Sequence, residues 1–341
     1  MRMSERTIKR LLVIRFSAMG DAAMTVPVLY ALATQHSDLR ITMLTRNRFL
    51  PLFEWLPANV QVKGVDFAEQ DGIIGLTKMY NQLREGHFDA VADLHDVLRS
   101  KYLRTRFKMS GTKVAVIDKG RNDKKALIGN GLTHPPLTHT TIRYQQVFIR
   151  LGMPCPLQLP TAAATLAGDA VSAVPLIGVA PFAAHEGKIY PLPRMHQVVD
   201  ILADAGNHVL LFGAKGKEAE TLKTWERNGV ELAAGKCHSL KEELELMTHL
   251  TLMISMDSSN MHMAAMMGTQ TISIWGATHP NAGFTAWQQT ADTIIDLPMD
   301  CRPCSIYGNR PCTKGNYPCL AGIKPQTIIE KARQYGADRK S

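Results

Sequence analysis

The feature that most constrains this chain is an alternation of short apolar runs with amphipathic stretches, repeated along nearly its whole length. A short apolar run between turn residues suits a strand buried on both faces, and an amphipathic stretch suits a helix laid across it. Such alternation builds βαβ units and mainly parallel sheets. In the first half, residues 11–16, 40–45, 60–66, 88–94 and 113–118 are predicted strands, with helices over 22–35, 73–84 and 97–108. Residues 119–139, rich in Lys, Asn, Gly and Pro, break the rhythm and predict a long surface loop. The same grammar resumes near Pro175, with strands over 176–181, 208–213, 230–234, 252–256 and 270–275. Helices are predicted over 193–205, 216–227, 239–248 and 326–335, and Ser239 with Glu242 has the spacing of a capping box.

A length of 341 residues suits two domains of ordinary size. The linker candidate is 157–174, poor in charge and rich in Ala and Pro. The expected division is 1–165, 173–324 and a terminal helical segment over 325–341. Apolar residues at 45% and charged residues at 20% are a globular balance. No apolar run approaches the ~20 residues of a membrane span. Met1 to Arg10 lacks the apolar core of a signal peptide, so the expected location is the cytoplasm. The net charge of +9 can serve nucleic acid, an anionic membrane surface or a phosphorylated substrate. With no zinc-finger spacing, RNP pattern or basic-aromatic stripe, nucleic acid ranks last.

Two open α/β domains bind ligands outside the carboxyl ends of their strands, so the loops after strands carry the functional candidates. After strand 252–256 come Asp257, Ser258, Ser259 and Asn260, with a helix over 261–267 that Gly268 ends. Small polar residues at a helix start leave backbone N–H groups to face an anion, and His262 lies in the first turn. An ordinary helix cap would explain that loop alone. The next strand, however, also ends in a small-residue loop, Gly276-Ala277-Thr278, and two adjacent polar loops favour a phosphate site. Lys188, in the loop after strand 176–181, supplies a flexible cation, although a lone loop Lys is more often solvated. In the first half, strand 11–16 runs into Ser17-Ala18-Met19-Gly20-Asp21. Asp21 is either a helix cap or a general base able to take a proton from an attacking hydroxyl. The loop is neither a Walker A nor a GxGxxG, which disfavours P-loop NTPases and dinucleotide dehydrogenases.

Arg15-Phe-Ser-Ala-Met-Gly-Asp21 with Pro27 behind it, and Met256-Asp-Ser-Ser-Asn-Met-His262 followed by Trp275-Gly-Ala-Thr-His-Pro280, resemble glycosyltransferase family 9, the ADP-heptose:lipopolysaccharide heptosyltransferases. Asp93-Leu94 with Arg99-Ser100, and the Gly213 loop with Glu218, follow in the family's order. The resemblance implies a GT-B fold: two Rossmann-like parallel-sheet domains facing across a cleft, the last helix crossing back to the first. It implies a nucleotide-sugar donor, ADP-heptose, on the second domain and a lipopolysaccharide core acceptor on the first. Asp21 would be the catalytic base. Lys188, Glu218, Asp257, Ser258, Ser259, His262 and Thr278 would bind the donor, with Glu218 near the ribose. Transfer would be inverting and need no metal. Where the family usually carries Gly this chain has Ser259, and a positive φ there would strain a non-Gly residue. The alternatives are a family 9 transferase using another sugar nucleotide, or a nucleotide-binding protein that kept the fold without turnover.

Arg99, Lys101, Arg104, Arg106 and Lys108 crowd one predicted helix, and Lys119, Arg121, Lys124 and Lys125 follow. They form a solvated basic face or attract an acidic acceptor at the inner face of the inner membrane. Ser17, Gly20, Arg99 and Arg143 are the acceptor-side candidates, with His139 and Tyr144 behind them. Cys301, Cys304, Cys312 and Cys319 lie close in sequence. A CxxC with two further cysteines can hold a structural zinc, but the spacing is short and reduced thiols are the more common meaning.

Overall fold

A computed structural model describes residues 7–70, 72–157 and 174–337. The chain divides into two compact units, Met1–Lys119 with Thr140–Pro160, and Gly120–His139 with Thr161–Ser341. The predicted linker falls largely on residues 158–173, and the break between 165 and 173 wholly so; both lie outside the described residues.

The first unit holds an all-parallel sheet of β1 (Arg10–Ile14), β2 (Arg40–Arg46), β3 (Val60–Val65), β4 (Ala90–Asp93) and β5 (Lys113–Val116), in the order β3-β2-β1-β4-β5. Leu11, Leu12, Val13 and Ile14 of the central strand are fully buried, as a strand covered on both faces requires. The chain first builds outward from β1 to β3 and then returns to the other side of β1. The β1–β4 gap is therefore the topological switch point, and the loops ending β1 and β4 border it.

The second unit repeats the plan with β6 (Leu176–Ala180), β7 (His208–Leu211), β8 (Val230–Leu232), β9 (Leu252–Met256), β10 (Thr271–Trp275) and β11 (Ile294–Asp296), in the order β11-β10-β9-β6-β7-β8. All pairings are parallel, and the switch point lies between β6 and β9. Ile177, Val179, Ile254, Ile272 and Ile274 pack with Met195, Val198 and Val199 of the helix Leu192–Asp204 in this unit's core.

The ten strands expected from the sequence all form. The strand β11, three residues at the sheet edge, was not foreseen, nor was the helix Thr140–Arg150. The helix expected over 22–35 is two helices, Met19–Ala23 and Val26–Gln35. Pro27 sits in the first turn of the second, where its missing N–H has no intrahelical partner to lose. Ser239 caps its helix by accepting from the Glu242 N–H at 3.2 Å, while the Glu242 carboxylate accepts from the His238 N–H at 2.9 Å.

One expectation is corrected. Residues 119–139 are not a plain surface loop. They contain the helix Arg121–Leu127, and Leu127 is buried against Ala282 and Ile306 of the second unit. The Gly131 N–H donates to the Arg302 carbonyl at 2.8 Å, and the Asn281 amide donates to the Gly131 and His134 carbonyls. Pro325–Ala332 puts Ile328, Ile329 and Ala332 into the second unit's own core, an apolar stripe that composition alone could not assign to one sheet or the other. Among the described residues no helix is long and apolar enough to cross a membrane.

Candidate functional site

In the second unit, the loops after β6, β9 and β10 meet. Asp257 follows the last residue of β9 and is buried. Its Oδ2 receives the Lys188 ammonium at 2.9 Å and the Thr278 hydroxyl at 2.8 Å. Three residues far apart in sequence thus share one carboxylate oxygen. The helix Ser259–Met266 starts immediately afterwards, with Ser258 in extended conformation as its N-cap. The Ser258 side chain does not cap the first turn; its hydroxyl lies 3.2 Å from that of Ser255. The first turn therefore has no side-chain cap, and the largely covered Lys188 pairs with Asp257 just ahead of it, electrostatics that suit an anion. His262 is buried in the same turn. Ser259 is the first helical residue and is absent from the positive-φ residues, so Ser costs no strain where a Gly is usual.

Two close approaches fix this arrangement. A Cβ on Gly187 would lie 2.8 Å from the Ala277 Cβ, and one on Gly276 only 2.6 Å from the Gly187 carbonyl oxygen. The missing side chains let the Ala277 N–H donate to the Gly187 carbonyl at 2.8 Å, holding the Lys188 loop against the loop after β10. Behind them sits Arg302, fully buried, a residue that sequence reasoning passed over. Its guanidinium donates to the carbonyls of Gly276 (2.6 Å) and Thr278 (3.0 Å) and pairs with Asp296 at 2.7 Å. Glu218 stands apart from this cluster; its carboxylate accepts from the Ala214 N–H at 2.7 Å and orders the loop after β7.

In the first unit, Asp21 lies in the third position of its short helix, not at the cap. Its Oδ2 reaches back to the Ala18 N–H at 3.1 Å and pairs with Arg15 at 2.5 Å. Arg15 is held in turn by the Leu94 carbonyl at 2.7 Å, and the Asp21 side chain remains 36% exposed. A carboxylate oriented by a buried Arg and still open to solvent has the reach a proton acceptor needs. Gly20 is buried beside it, and the Ser17 hydroxyl lies 3.2 Å from His95 Nε2. Burial, and then the charge of Arg15, hold the His95 pKa down to about 3, so the ring is neutral near pH 7. His95 went unnoticed in the sequence, although its position just past the end of β4 was a usable signal. Asp93 shapes that turn by accepting from the His95 and Asp96 N–H groups, both at 2.9 Å, and by pairing with Arg104 at 2.7 Å.

The acceptor-side candidates divide. Arg99 lies over the Phe67 ring, 4.5 Å from its centroid, at the carboxyl end of the sheet. Arg143 is buried, and its guanidinium donates to the Asp118 carbonyl at 3.3 Å, which gives it a structural task. Tyr144 is buried and donates to the Asp21 carbonyl at 3.3 Å. His139 belongs to the second unit, beside Trp287, with Nε2 3.0 Å from the Thr285 carbonyl. A surface cavity of about 900 Å³ in the first unit opens at the amino-terminal ends of its strands near Lys9, His36 and Asp38, the end α/β sheets do not use for ligands.

Cys301, Cys304, Cys312 and Cys319 are free thiols, and among the described residues no three His, Cys, Asp or Glu side chains converge to hold a metal ion. Burial lifts the Cys319 thiol to about 11, and burial with the neighbouring Cys301 raises that of Cys304. Cys304 and Cys319 are therefore held as thiols rather than thiolates near neutral pH.

Paired parallel-sheet units with candidate groups at both switch points define a GT-B glycosyltransferase fold, and solved structures agree. An E. coli heptosyltransferase WaaC determined with ADP is 19% identical, with TM-score 0.70 over 96% of this chain and 100% of its own. A family 9 glycosyltransferase from Veillonella parvula is 20% identical, with TM-score 0.71 over 98% of each chain. An E. coli ADP-heptose LPS heptosyltransferase II is 21% identical, with TM-score 0.67 over 96% of this chain and 98% of its own. Residues 76–313 match the model of glycosyltransferase family 9 (heptosyltransferase), and the chain belongs to that family. Lipooligosaccharide heptosyltransferase 2 of Campylobacter jejuni is 31% identical over 85 residues, a match that spans 24% of either protein.

Proposed function

We propose that the protein transfers a heptose from ADP-heptose to the inner core of lipopolysaccharide, working in the cytoplasm at the inner face of the inner membrane. The observation that carries this reading is the Lys188–Asp257–Thr278 cluster at the uncapped start of the helix Ser259–Met266. An ammonium has three donors, so Lys188 can hold Asp257 and still donate to a phosphate oxygen. The acceptor hydroxyl oxygen attacks the anomeric carbon while the bond from that carbon to the diphosphate oxygen breaks. The bonding pair leaves with ADP, the hydroxyl proton passes to Asp21, and the anomeric configuration inverts. Lys188 and the first-turn N–H groups stabilise the charge growing on the diphosphate, the work done elsewhere by a divalent cation. The names of related proteins, among them structures determined with ADP and with an ADP-heptose analogue, support the choice of nucleotide and sugar.

Calorimetric titration with ADP, UDP and GDP tests the donor class, with ADP expected to bind tightest. Tighter binding of UDP or GDP would turn the reading toward a family 9 transferase that uses another sugar nucleotide.

A further inference from the structure

The helices Gly72–Arg84 and Leu98–Met109 pack side by side in the first unit. The Thr77 and Tyr102 hydroxyls are 2.6 Å apart, and the Tyr80 and Phe107 rings meet edge-on at 5.0 Å. They follow β3 and β4 of one parallel sheet, so both first turns lie at its carboxyl end. Leu76, Met79, Tyr80 and Leu83 of one helix and Leu103 and Phe107 of the other point inward and are buried. Three large aliphatic side chains do the opposite. Ile73 is 74% exposed, Ile74 87% and Leu98 86%, all within those two first turns. Scattered exposed aliphatics need no explanation, but three gathered at one end of one sheet do.

The charge around them is mainly basic, although Asp66, Glu69 and Asp96 lie in the loops after the same strands and Asp96 pairs with Lys101 at 3.8 Å and Arg104 at 2.9 Å. The helix Leu98–Met109 carries Arg99, Lys101, Arg104, Arg106 and Lys108 and no acidic residue. The Arg46 and Arg99 guanidinium groups both lie over the Phe67 ring, at 5.6 and 4.5 Å. Arg48, exposed at the same sheet end, adds its charge. Burial and these two arginines together lower the Arg46 pKa. The Arg46 Nε is buried and makes no hydrogen bond. An apolar wedge beside a basic helix and an arginine pair fits an anionic lipid surface, where aliphatic side chains enter the headgroup–acyl boundary and cations meet the phosphates.

We propose that Ile73, Ile74 and Leu98, flanked by Arg48, Arg99 and Lys101, form the face through which this protein docks on an anionic bilayer. This rests on the reading of a lipid-borne acceptor, and it names the surface that meets the lipid. The test is co-sedimentation of the full chain with phosphatidylcholine vesicles, with and without phosphatidylglycerol. The triple variant Ile73→Ser, Ile74→Ser, Leu98→Ser is run beside it, its fold checked by urea unfolding. The wild-type chain is expected to bind the anionic vesicles and the triple variant to bind them at least about tenfold more weakly, since burying each aliphatic side chain favours partitioning by roughly that factor. Transfer to an acceptor sugar stripped of its acyl chains should have the same kcat/KM in both proteins. Equal vesicle binding by the two, no binding by the wild type, or self-association that the triple variant abolishes would each overturn the proposal. Absence of transfer in the wild type would instead overturn the proposed function, and the vesicle measurement would still decide the docking face.

Discussion

Replacing Lys188 with Met removes one partner of a buried ion pair and leaves the other in place. Asp257 is almost fully covered, with its side chain 3% exposed, and afterwards only the Thr278 hydroxyl donates to its Oδ2. Breaking such a pair costs ~3–5 kcal/mol when the abandoned charge has no escape. The remaining Thr278 bond recovers ~1 kcal/mol of that, so a loss of about 2–4 kcal/mol is expected. Asp257→Asn alone should cost about 1–2 kcal/mol, because the long Lys188 stem can carry its charge to water. The double variant leaves no charge buried and should cost less than the sum of the two, by about 2 kcal/mol. Urea unfolding followed by tryptophan fluorescence reads this, since Trp225, Trp275 and Trp287 all lie in the second unit and Trp275 immediately precedes the loop. In the same variant, ADP should bind roughly thirtyfold more weakly, the value of one charged hydrogen bond. A Lys188→Met protein with the wild-type urea midpoint, or single-variant costs that simply add in the double variant, would refute the reasoning.

Asp21→Ala should lower transfer by ~10²–10⁴-fold while ADP affinity measured by calorimetry stays within about twofold; unchanged transfer would remove Asp21 from catalysis. Arg302→Met should destabilise the second unit by more than about 3 kcal/mol, because the Gly276 and Thr278 carbonyls and Asp296 all lose a buried donor; a shift in urea midpoint no larger than for a surface variant would contradict this. Gly187→Ala pushes a Cβ against Ala277 and the Tyr317 ring at 2.8 and 2.9 Å, so it should weaken ADP binding through displacement of the Lys188 loop. The His95 pKa falls from 6.5 in the unfolded chain to about 3 in the folded one. Between those values the unfolded chain binds a proton that the folded chain does not, so stability falls as pH drops below 6.5, by up to ~1.4 kcal/mol per unit. His95→Gln should flatten that part of the pH–stability curve, and an unchanged slope would show that His95 does not cause it.

The sequence by itself determined the ten strands foreseen, their parallel pairing and the strand-end positions of Asp21 and Asp257. These follow from apolar runs and turn residues within a few positions of one another, so the information is local. It did not determine partners that lie far along the chain. Lys188 and Asp257 are an ordinary loop Lys and a candidate cap until β6 and β9 become neighbours in one sheet. Arg302 reads as a loop residue, and only packing makes it the buried clamp of the Gly276–Thr278 turn. Residues 120–139 have the composition of a surface loop, yet Leu127 finds an apolar niche in the second unit, and one buried leucine carries little signal in a polar stretch. The four cysteines close in sequence allow a metal set or reduced thiols, and among the described residues no three His, Cys, Asp or Glu side chains converge. Local pattern fixes which elements form. Which side chains share a buried oxygen, a carbonyl or a cation is decided by long-range packing, where desolvation makes each unmatched polar group costly.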